Sequence, residues 1–282
     1  MLTIKELLFR TTDFFKDKGV ENAKLDAELL LSHGLGLRSR LDLYLQYDRP
    51  LEEVQLAKIR PLVRRRAKGE PVQYIEGIAN FMGVEFRVDP RVLIPRPETE
   101  ELVEKVEAFQ EGREVDRIID LGTGSGVLAL SLARIYQTSD VVAVDVSSEA
   151  LEVARGNAKE QDLEERVTFL KSNWFGDVSG KFDLVVSNPP YLTRSEWEGA
   201  SAHIKDWEPE IALVSGGDSG EDCLFSIIEG ALDALRPGGI LALETGISQR
   251  QLLNNKASLV GYSEFWTATD LSGRDRFFFA RA

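Results

Sequence analysis

The chain contains a single cysteine, Cys223, among 282 residues. One thiol cannot form an intrachain disulfide, which excludes the disulfide-stabilised secreted scaffolds and is typical of a reducing compartment. Only two histidines occur, His33 and His203, and neither has the neighbouring residues of a metal-ligand pattern. We therefore predict no metal site and no covalent nucleophile, and we expect Cys223 to be a buried, small apolar residue of a helix.

Long apolar runs are also missing. The sequence has no stretch of about 18 apolar residues, so we predict no membrane-spanning helix. The first residues mix charged and apolar side chains and lack the basic-then-apolar layout of a secretory signal. We expect a cytoplasmic protein without a membrane partner.

Positive charge is scarce, and its distribution is uneven. The chain has 34 Lys and Arg against 47 Asp and Glu, a net charge of −13. Residues 1–90 hold 15 basic against 14 acidic residues, whereas residues 91–282 hold 19 against 33, a balance of −14. Such an acidic region gains little from the counterion release that dominates non-specific nucleic-acid affinity. We expect no stable nucleic-acid partner.

The hydrophobic pattern divides the chain into three parts. Residues 1–72 show helical spacing and predict a small helical domain, in which Pro61 is expected to bend or break a helix over 51–68. Residues 73–92 combine aromatic and β-branched residues with glycines and predict a hairpin and linker. Residues 93–282 alternate between strand and helix patterns.

The alternating region predicts an α/β fold. Short apolar strands between helices indicate a seven-stranded, mostly parallel, Rossmann-like sheet that is covered on both faces. Ligands bind to such sheets at the carboxyl ends of the strands. Strands are predicted at 117–121, 141–146, 167–170, 184–187, 240–244, 265–268 and 277–280. Helices are predicted at 127–136, 149–160 and 224–235, the last with a stop signal at Pro237-Gly238-Gly239.

A glycine-rich turn follows the first of these strands. Gly122, Gly124 and Gly126, separated by Thr123 and Ser125, have the spacing G-x-G-x-G. The dinucleotide fingerprint G-x-G-x-x-G places its third glycine one residue later. Because a methionine-bearing nucleoside has no pyrophosphate to bind, this variant suits S-adenosylmethionine. The alternative is a plain tight turn.

An acidic residue ends the next strand. Asp145 follows Gly126 by 19 residues, a position from which a carboxylate accepts hydrogen bonds from ribose hydroxyls in nucleotide-binding sheets. The alternative role is a helix N-cap, for which Ser147 and Ser148 compete.

The sequence Asn188-Pro189-Pro190-Tyr191 follows the fourth strand. The nitrogen of a planar amide or aromatic amine is a poor nucleophile, and acceptors aimed at its N–H bonds both orient it and increase its electron density. The Asn188 oxygen and a carbonyl of the stiff Pro189–Pro190 turn can serve as these acceptors. Tyr191 offers a flat face to a planar group. The alternative is a Pro-Pro turn that merely ends the strand.

Together these motifs resemble class I methyltransferases that modify exocyclic or amide nitrogens. Further segments resemble the HemK family, the glutamine N5-methyltransferases of bacterial peptide-chain release factors. The segments are 93–100, 173–175, 207–213 and 270–276. The resemblance implies that S-adenosylmethionine methylates the glutamine of a Gly-Gly-Gln motif, leaving S-adenosylhomocysteine. As a separate hypothesis, the helical domain docks the protein substrate.

The resemblance also implies roles for single residues. Gly122, Gly124 and Gly126 would line the methionine part of the cofactor, and Trp174 and Phe175 would flank its adenine. Two positions depart from the family pattern. Asn173 stands where aspartate is more common, which could lower cofactor affinity, and Trp207 stands where the family often has tyrosine or phenylalanine.

Two charged groups keep more than one interpretation. Arg96 and Glu98 either belong to a helix start at Pro97 or lie beside the active site, the latter from the resemblance only. The basic run 64–68 is either a solvated helix face or a docking patch for an acidic protein surface.

Other functions stay open on the sequence. One is a nucleic-acid amino-methyltransferase that acts on adenine N6 or guanine N2, because the Asn188 motif suits flipped bases equally well. The others are a ribosomal-protein glutamine methyltransferase and a non-catalytic binding module. No pattern indicates the oligomeric state.

Overall fold

The computed structural model describes residues 2–282, apart from the side chains of Ala202 and His203. Expectations about the His203 side chain therefore lie outside the described residues. The chain forms two compact units. One runs up to Ile78 and includes Ala202–Trp207, and the other comprises Ala79–Ser201 and Glu208–Ala282.

The first unit is helical and has its own apolar core, which includes Leu8, Phe15, Leu30 and Ile59. A capping box between Thr3 and Glu6 begins its first helix. Its main helices are α1 (Ile4–Asp17), α2 (Ala23–Leu35), α3 (Arg40–Leu45), α4 (Glu53–Ala67) and α5 (Val72–Glu76). Thus α5 is helical where a hairpin and linker were expected to begin.

Helix α4 continues through Pro61, so the predicted break is wrong. The side chains on either side of the proline pack closely on α2: a Cβ at Gly34 would lie 2.7 Å from Ile59 Cγ1 and 3.3 Å from Leu62 Cδ1. This tertiary packing stabilises the helix where propensity alone would end it.

The basic run 64–68 is only partly a free surface. Arg66 is mostly buried and its Nε lies 2.6 Å from Asp26 Oδ2. Arg65 forms an ion pair with Glu70, with Arg65 Nη2 2.5 Å from Glu70 Oε1. Two of the four basic side chains therefore serve the internal structure of this unit.

The second unit contains a two-stranded hairpin and a seven-stranded sheet with helices. The hairpin consists of β1 (Ile78–Phe81) and β2 (Val84–Arg87), and α6 (Pro97–Phe109) follows. The sheet region comprises β3 (Arg117–Leu121), α7 (Val127–Ile135), β4 (Asp140–Asp145), α8 (Ser148–Glu160), β5 (Val167–Lys171) and β6 (Phe182–Ser187). Next along the chain are α9 (Arg194–Gly199), then α10 (Ala202–Lys205), which belongs to the first unit, and a 3-10 helix (Glu210–Ala212). They are followed by α11 (Asp222–Ala234), β7 (Leu235–Glu244), α12 (Arg250–Val260), β8 (Glu264–Thr269) and β9 (Asp275–Arg281).

The large sheet has the order β5-β4-β3-β6-β7-β9-β8. The first five strands pair in parallel, and β9 runs antiparallel to both neighbours. The predicted seven-stranded, mostly parallel sheet is thus confirmed. Because β4 and β5 lie on one side of β3 and β6 on the other, the strand order reverses between β3 and β6. Ligands bind at such a reversal.

Successive residues of the central strands enter cores on opposite faces of the sheet. Ile118 joins one core and Ile119 the other, and Phe277 and Phe278 divide in the same way. Helices therefore cover both faces, which explains the nearly continuous apolar runs of these strands.

One strand boundary differs from the expectation. Pro237-Gly238-Gly239 lies within β7, which begins at Leu235, and does not act as a stop before a strand at 240. Phe182 pairs with Leu235 and Leu184 with Ile240, so the extra residues bulge from the ladder. Among the residues described, no helix is long and apolar enough to cross a lipid bilayer.

Candidate functional site

A cavity of about 360 Å³ opens in the second unit at the carboxyl ends of β3, β4, β5 and β6. This volume lies in the range of small-molecule pockets, roughly 300–1,000 Å³. Eight residues that the sequence predicts as site residues line it: Gly122, Thr123, Gly124, Ser125, Asp145, Trp174, Asn188 and Pro190. Four others lie outside its lining: Gly126, Phe175, Pro189 and Tyr191.

The turn after β3 brings backbone to the cavity. Gly122 and Gly124 have φ of +70° and +55°, the left-handed region that glycine adopts without steric cost. A Cβ at Gly122 would lie 3.6 Å from the Trp174 ring. Apart from Gly124 and its two chain neighbours, no heavy atom of the described residues lies within 4 Å of a Cβ built at Gly124. The turn therefore leaves open space for a ligand against its backbone.

Gly126 has a packing role. It begins α7 with φ +86°, and a Cβ there would lie 3.2 Å from Ala154 Cβ and 3.3 Å from Leu130 Cδ1. Its lack of a side chain lets α7 start close to α8. The structure thus places Gly126 behind the cavity and not in its wall.

Asp145 ends β4 at the rim of the turn. One carboxylate oxygen accepts from the Gly124 N–H and the other from the Ser147 N–H, both at 2.9 Å. Burial raises the pKa of Asp145, and these backbone hydrogen bonds oppose the shift. The N-cap of α8 is Ser147, whose hydroxyl accepts from the Ala150 N–H, so Asp145 does not cap that helix.

The two aromatic residues after β5 point to different places. Trp174 lines the cavity with an unusual backbone φ of +49°. Phe175 packs on α11, where a Cβ at Gly230 would lie 2.4 Å from its Cδ2.

Asn188 follows β6 and lines the cavity. Its side-chain amide donates from Nδ2 to Thr99 Oγ1 at 3.0 Å. Thr99 is buried on α6 and belongs to the 93–100 segment. This hydrogen bond uses the donor end of the Asn188 amide and leaves its carbonyl oxygen as an acceptor.

Behind Asn188 lies a buried carboxyl group. Glu244 ends β7, and its Oε2 accepts from the Thr99 hydroxyl at 2.6 Å while its Oε1 accepts from the Tyr191 hydroxyl at 3.2 Å. Burial raises the pKa of Glu244 to about 7, while Thr99, Tyr191 and the charge of Arg276 oppose the shift and Glu98 adds to it. Burial likewise raises the pKa of the Tyr191 hydroxyl, with the charge of Glu244 adding to the shift.

The loop that carries Tyr191 is held by a second buried side chain. Gln249 donates from Nε2 to the carbonyls of Tyr191, Ser219 and Gly220, and its Oε1 accepts from the Gly246 N–H at 2.8 Å. A Cβ at Gly220 would lie 2.3 Å from the Tyr191 carbonyl oxygen. Only glycine therefore fits at position 220.

Arg96 lines the cavity and caps the helix start. It is the N-cap residue of α6 with Pro97 next, which confirms the predicted helix start. Its Nη2 lies 2.6 Å from Glu208 Oε1, and Glu208 also accepts from the Ile94 N–H at 3.3 Å. Glu98 does not line the cavity, and its Oε1 lies 3.5 Å from Arg274 Nη2. These contacts fasten the segments 93–100 and 207–213 to each other.

Cys223 lies in a helix as predicted, but it is not fully buried. It lies in the first turn of α11 and lines the cavity half-exposed, where burial raises the pKa of its thiol. Among the described side chains, no group of three or more His, Cys, Asp or Glu residues is placed to hold a metal ion.

Sequence reasoning missed Thr99, Glu244 and Gln249. Thr99 lies inside the segment 93–100, in which the sequence suggested roles only for Arg96 and Glu98. Glu244 carries the one available signal, an acidic residue at the end of an otherwise apolar buried strand. The sequence around Gln249 contains no motif that predicts its role in the site.

Comparisons with known proteins agree on one family. A model described as the PrmC N-terminal domain matches residues 6–77, and a model described as the methyltransferase small domain matches residues 99–205. A protein of Rhodopirellula baltica named release factor glutamine methyltransferase is 39% identical, over 97% of this chain and 94% of its own length. A protein of Geobacter sulfurreducens with the same name is 41% identical, over 97% of this chain and 95% of its own.

A solved structure shows the same fold at low identity. A methyltransferase from Pyrococcus furiosus superimposes with a TM-score of 0.54 at 21% identity, covering 71% of this chain and 89% of that chain.

Proposed function

Because the chain belongs to the family of release factor glutamine methyltransferases, we infer that it transfers a methyl group from S-adenosylmethionine to a glutamine side chain of a peptide-chain release factor. The enzyme is an S-adenosylmethionine-dependent protein-glutamine N-methyltransferase. The observation that carries the chemistry is the orientation of Asn188, whose amide donates to Thr99 and leaves its oxygen for the substrate.

The cavity fits the cofactor in shape and in charge. The open space at Gly124 gives backbone access, and the two arginines of the lining are already paired, Arg91 with Asp89 at 2.7 Å and Arg96 with Glu208 at 2.6 Å. A cationic ligand would therefore not face an unpaired guanidinium of these two residues. When bound, S-adenosylmethionine supplies a methyl group that its sulfonium already activates.

In our proposal the turn Gly122–Gly126 holds the methionine part, with Gly126 acting through packing. Asp145 holds the ribose hydroxyls with the lone pairs that its two backbone hydrogen bonds leave available. Trp174 packs on the adenine, while Phe175, the second predicted adenine neighbour, anchors the loop against α11.

The substrate amide lies between Asn188 and the proline turn. Asn188 Oδ1 accepts from one N–H of the glutamine amide, and a backbone carbonyl of Pro189–Pro190 accepts from the other. Tyr191, which lies outside the cavity lining, supports this turn through its hydrogen bond to Glu244. These acceptors turn the nitrogen lone pair towards the methyl group and raise its electron density.

The reaction is a direct displacement. With the cofactor held by the turn Gly122–Gly126 and by Asp145, the methyl group that it would supply would pass directly to the amide nitrogen held by Asn188, and S-adenosylhomocysteine would remain. The nitrogen then releases one proton to water. No strong base is required, because the proton leaves after the N–C bond has begun to form.

The finer assignment concerns the target. We propose N5 of the glutamine in a Gly-Gly-Gln motif, with the helical domain predicted at 1–72 docking the release factor and residues 93–282 as the catalytic domain. Between them, α5 extends the helical part to Glu76, and the hairpin is confined to residues 78–87. A release-factor substrate implies a cytoplasmic enzyme. The charge of −14 over residues 91–282 disfavours a stable nucleic-acid complex and with it the adenine or guanine alternative.

Cofactor binding and turnover together separate this function from a non-catalytic binding module. Calorimetric titration should give one S-adenosylmethionine site per chain, and S-adenosylhomocysteine should accumulate only when release factor is added. Cofactor binding without turnover on release factor, ribosomal protein or RNA would contradict the enzymatic assignment.

A further inference from the structure

A continuous hydrogen-bonded chain runs from Glu244, which lies outside the cavity lining, through Thr99 to Asn188, both of which line the cavity. Thr99 is 2% exposed and Glu244 is 1% exposed, so water does not compete for these bonds. The Thr99 hydroxyl lies 2.6 Å from Glu244 Oε2 and 3.0 Å from Asn188 Nδ2. Neither Thr99 nor Glu244 forms part of the Asn-Pro-Pro-Tyr motif.

The direction of these hydrogen bonds is determined by Glu244. An ionised carboxylate only accepts, so the single hydroxyl proton of Thr99 must point at Glu244. The Thr99 oxygen then has only lone pairs to offer Asn188, and Asn188 must present its NH₂ group to Thr99. The carbonyl oxygen of Asn188 is thereby directed to the other side of the amide.

Glu244 contacts the same motif a second time. Its Oε1 accepts from the Tyr191 hydroxyl at 3.2 Å, so one carboxylate contacts both ends of Asn188–Tyr191, directly or through Thr99. A buried carboxylate costs free energy unless its hydrogen bonds are satisfied, and here the two hydroxyls supply them.

We propose that Thr99 and Glu244 are positioning residues of the methyl transfer, which set the orientation of the Asn188 amide so that its oxygen, and not its NH₂ group, meets the substrate nitrogen. This inference rests on the proposed function. The wrong amide orientation would place a donor against the N–H bonds of the glutamine and repel it.

The test uses isosteric substitution in the full-length chain at pH 8, with release factor as substrate. Thr99→Val keeps the shape of the side chain but removes the acceptor for Asn188, and Thr99→Ser keeps the hydroxyl. Thr245→Val is the matched control, because Thr245 is a buried threonine next to Glu244 whose hydroxyl bonds the Arg276 carbonyl at 3.3 Å instead.

We expect Thr99→Val to lower kcat about 10- to 100-fold, the scale of a misplaced reactive group, with little change in the Kd for S-adenosylmethionine. Thr99→Ser should restore most of kcat, and Thr245→Val should keep the wild-type value. A kcat of Thr99→Val within twofold of wild type would overturn the inference. An equal loss in Thr99→Ser or in Thr245→Val would also overturn it, because the hydroxyl at 99 would then not be the cause.

If Thr99→Val fails to fold, the pair Thr99→Ser and Thr99→Ala makes the same comparison without added volume, and equal kcat values in the two would overturn the inference. A wild-type enzyme that transfers no methyl group to release factor would instead contradict the proposed function.

Discussion

Asn188 and Asp145 line one cavity, but they are expected to act on different molecules. Asn188 donates one N–H to Thr99, which turns its NH₂ group to that side and leaves its carbonyl oxygen as the acceptor. Asp145 is held by two backbone N–H groups at the end of β4, which fixes its carboxylate in place before any ligand binds. Substitutions at the two positions should therefore separate turnover from cofactor binding.

Asn188→Ala should lower kcat about 100-fold while the Kd for S-adenosylmethionine changes little, because the acceptor acts on the substrate nitrogen in the transition state. Single-turnover methyl transfer and calorimetric titration measure the two quantities. Retention of the wild-type kcat would exclude the proposed role.

Asp145→Asn should weaken cofactor binding and leave turnover largely unchanged. Loss of a charged acceptor for the ribose should weaken S-adenosylmethionine binding about tenfold or more, with kcat largely recovered at saturating cofactor. Asp140→Asn, on the exposed first residue of the same strand, is the matched control and should bind as wild type. Equal affinities of the two variants would show that Asp145 does not contact the cofactor.

Glu244 should give the reaction a dependence on pH. Burial raises the pKa of Glu244 to about 7. Above pH 7 the ionised carboxylate can only accept, which directs the Thr99 hydroxyl towards it. Below pH 7 the protonated carboxyl group can donate, so it no longer fixes the direction of the Thr99 hydroxyl. Tyr191, Thr99, Arg276 and Glu98 are the groups that face it. The rate should fall as pH falls through 7.

Asp120 is a second buried carboxyl group, and burial raises its pKa to about 7 as well. The fall of kcat on the acid side of the pH profile, its acid limb, must therefore be assigned to one of the two groups. A glutamine at position 244 cannot ionise, and Glu244→Gln should therefore flatten the acid limb of kcat. If kcat of Glu244→Gln still falls on the acid side as in the wild type, that fall belongs to another group.

At the scale of helices and strands, Arg66 of α4 forms a buried ion pair with Asp26 of α2, whereas Arg64 of the same helix is exposed. Arg66→Met should lower the free energy of unfolding by about 3–5 kcal/mol, because it leaves the Asp26 carboxylate buried without its partner. Arg64→Met, at an exposed position of the same helix, should change it by less than about 0.5 kcal/mol. Urea unfolding of the full chain compares the two, and coincident midpoints would contradict this assignment.

The parts of the site that follow strands could be predicted from sequence because they are local. The glycines after β3, the carboxylate at the end of β4 and the Asn-Pro-Pro-Tyr turn after β6 each combine a strand signal with an adjacent polar or turn residue. Parallel strands bring such ends together. The strands themselves were also predictable from local sequence, because burial on both faces of the sheet produces apolar runs.

The supporting residues could not be predicted because their contacts are distant in sequence. Thr99 and Glu244 are 145 positions apart, and Asn188 and Thr99 are 89 apart. Tertiary packing also overrode two local signals, the proline within α4 and the Pro-Gly-Gly sequence within β7. Which of two adjacent rings, Trp174 or Phe175, faces the cavity depends on the φ of +49° at Trp174, and composition does not encode it.

At the scale of the whole molecule, the charge distribution favours a protein substrate over a nucleic acid. The balance of +1 in residues 1–90 and −14 in residues 91–282 leaves little attraction for polyphosphate chains. Release factor methylation should therefore be less salt-sensitive than a reaction on RNA would be.

The most direct measurement is transfer of labelled methyl from S-adenosylmethionine to a purified bacterial release factor, beside the same factor with its Gly-Gly-Gln glutamine changed to alanine. Label on the first protein and none on the second is the predicted result, and it would identify both the substrate and the residue. Equal label on both, or label only on ribosomal protein, RNA or DNA, would contradict the assignment of this glutamine as the target.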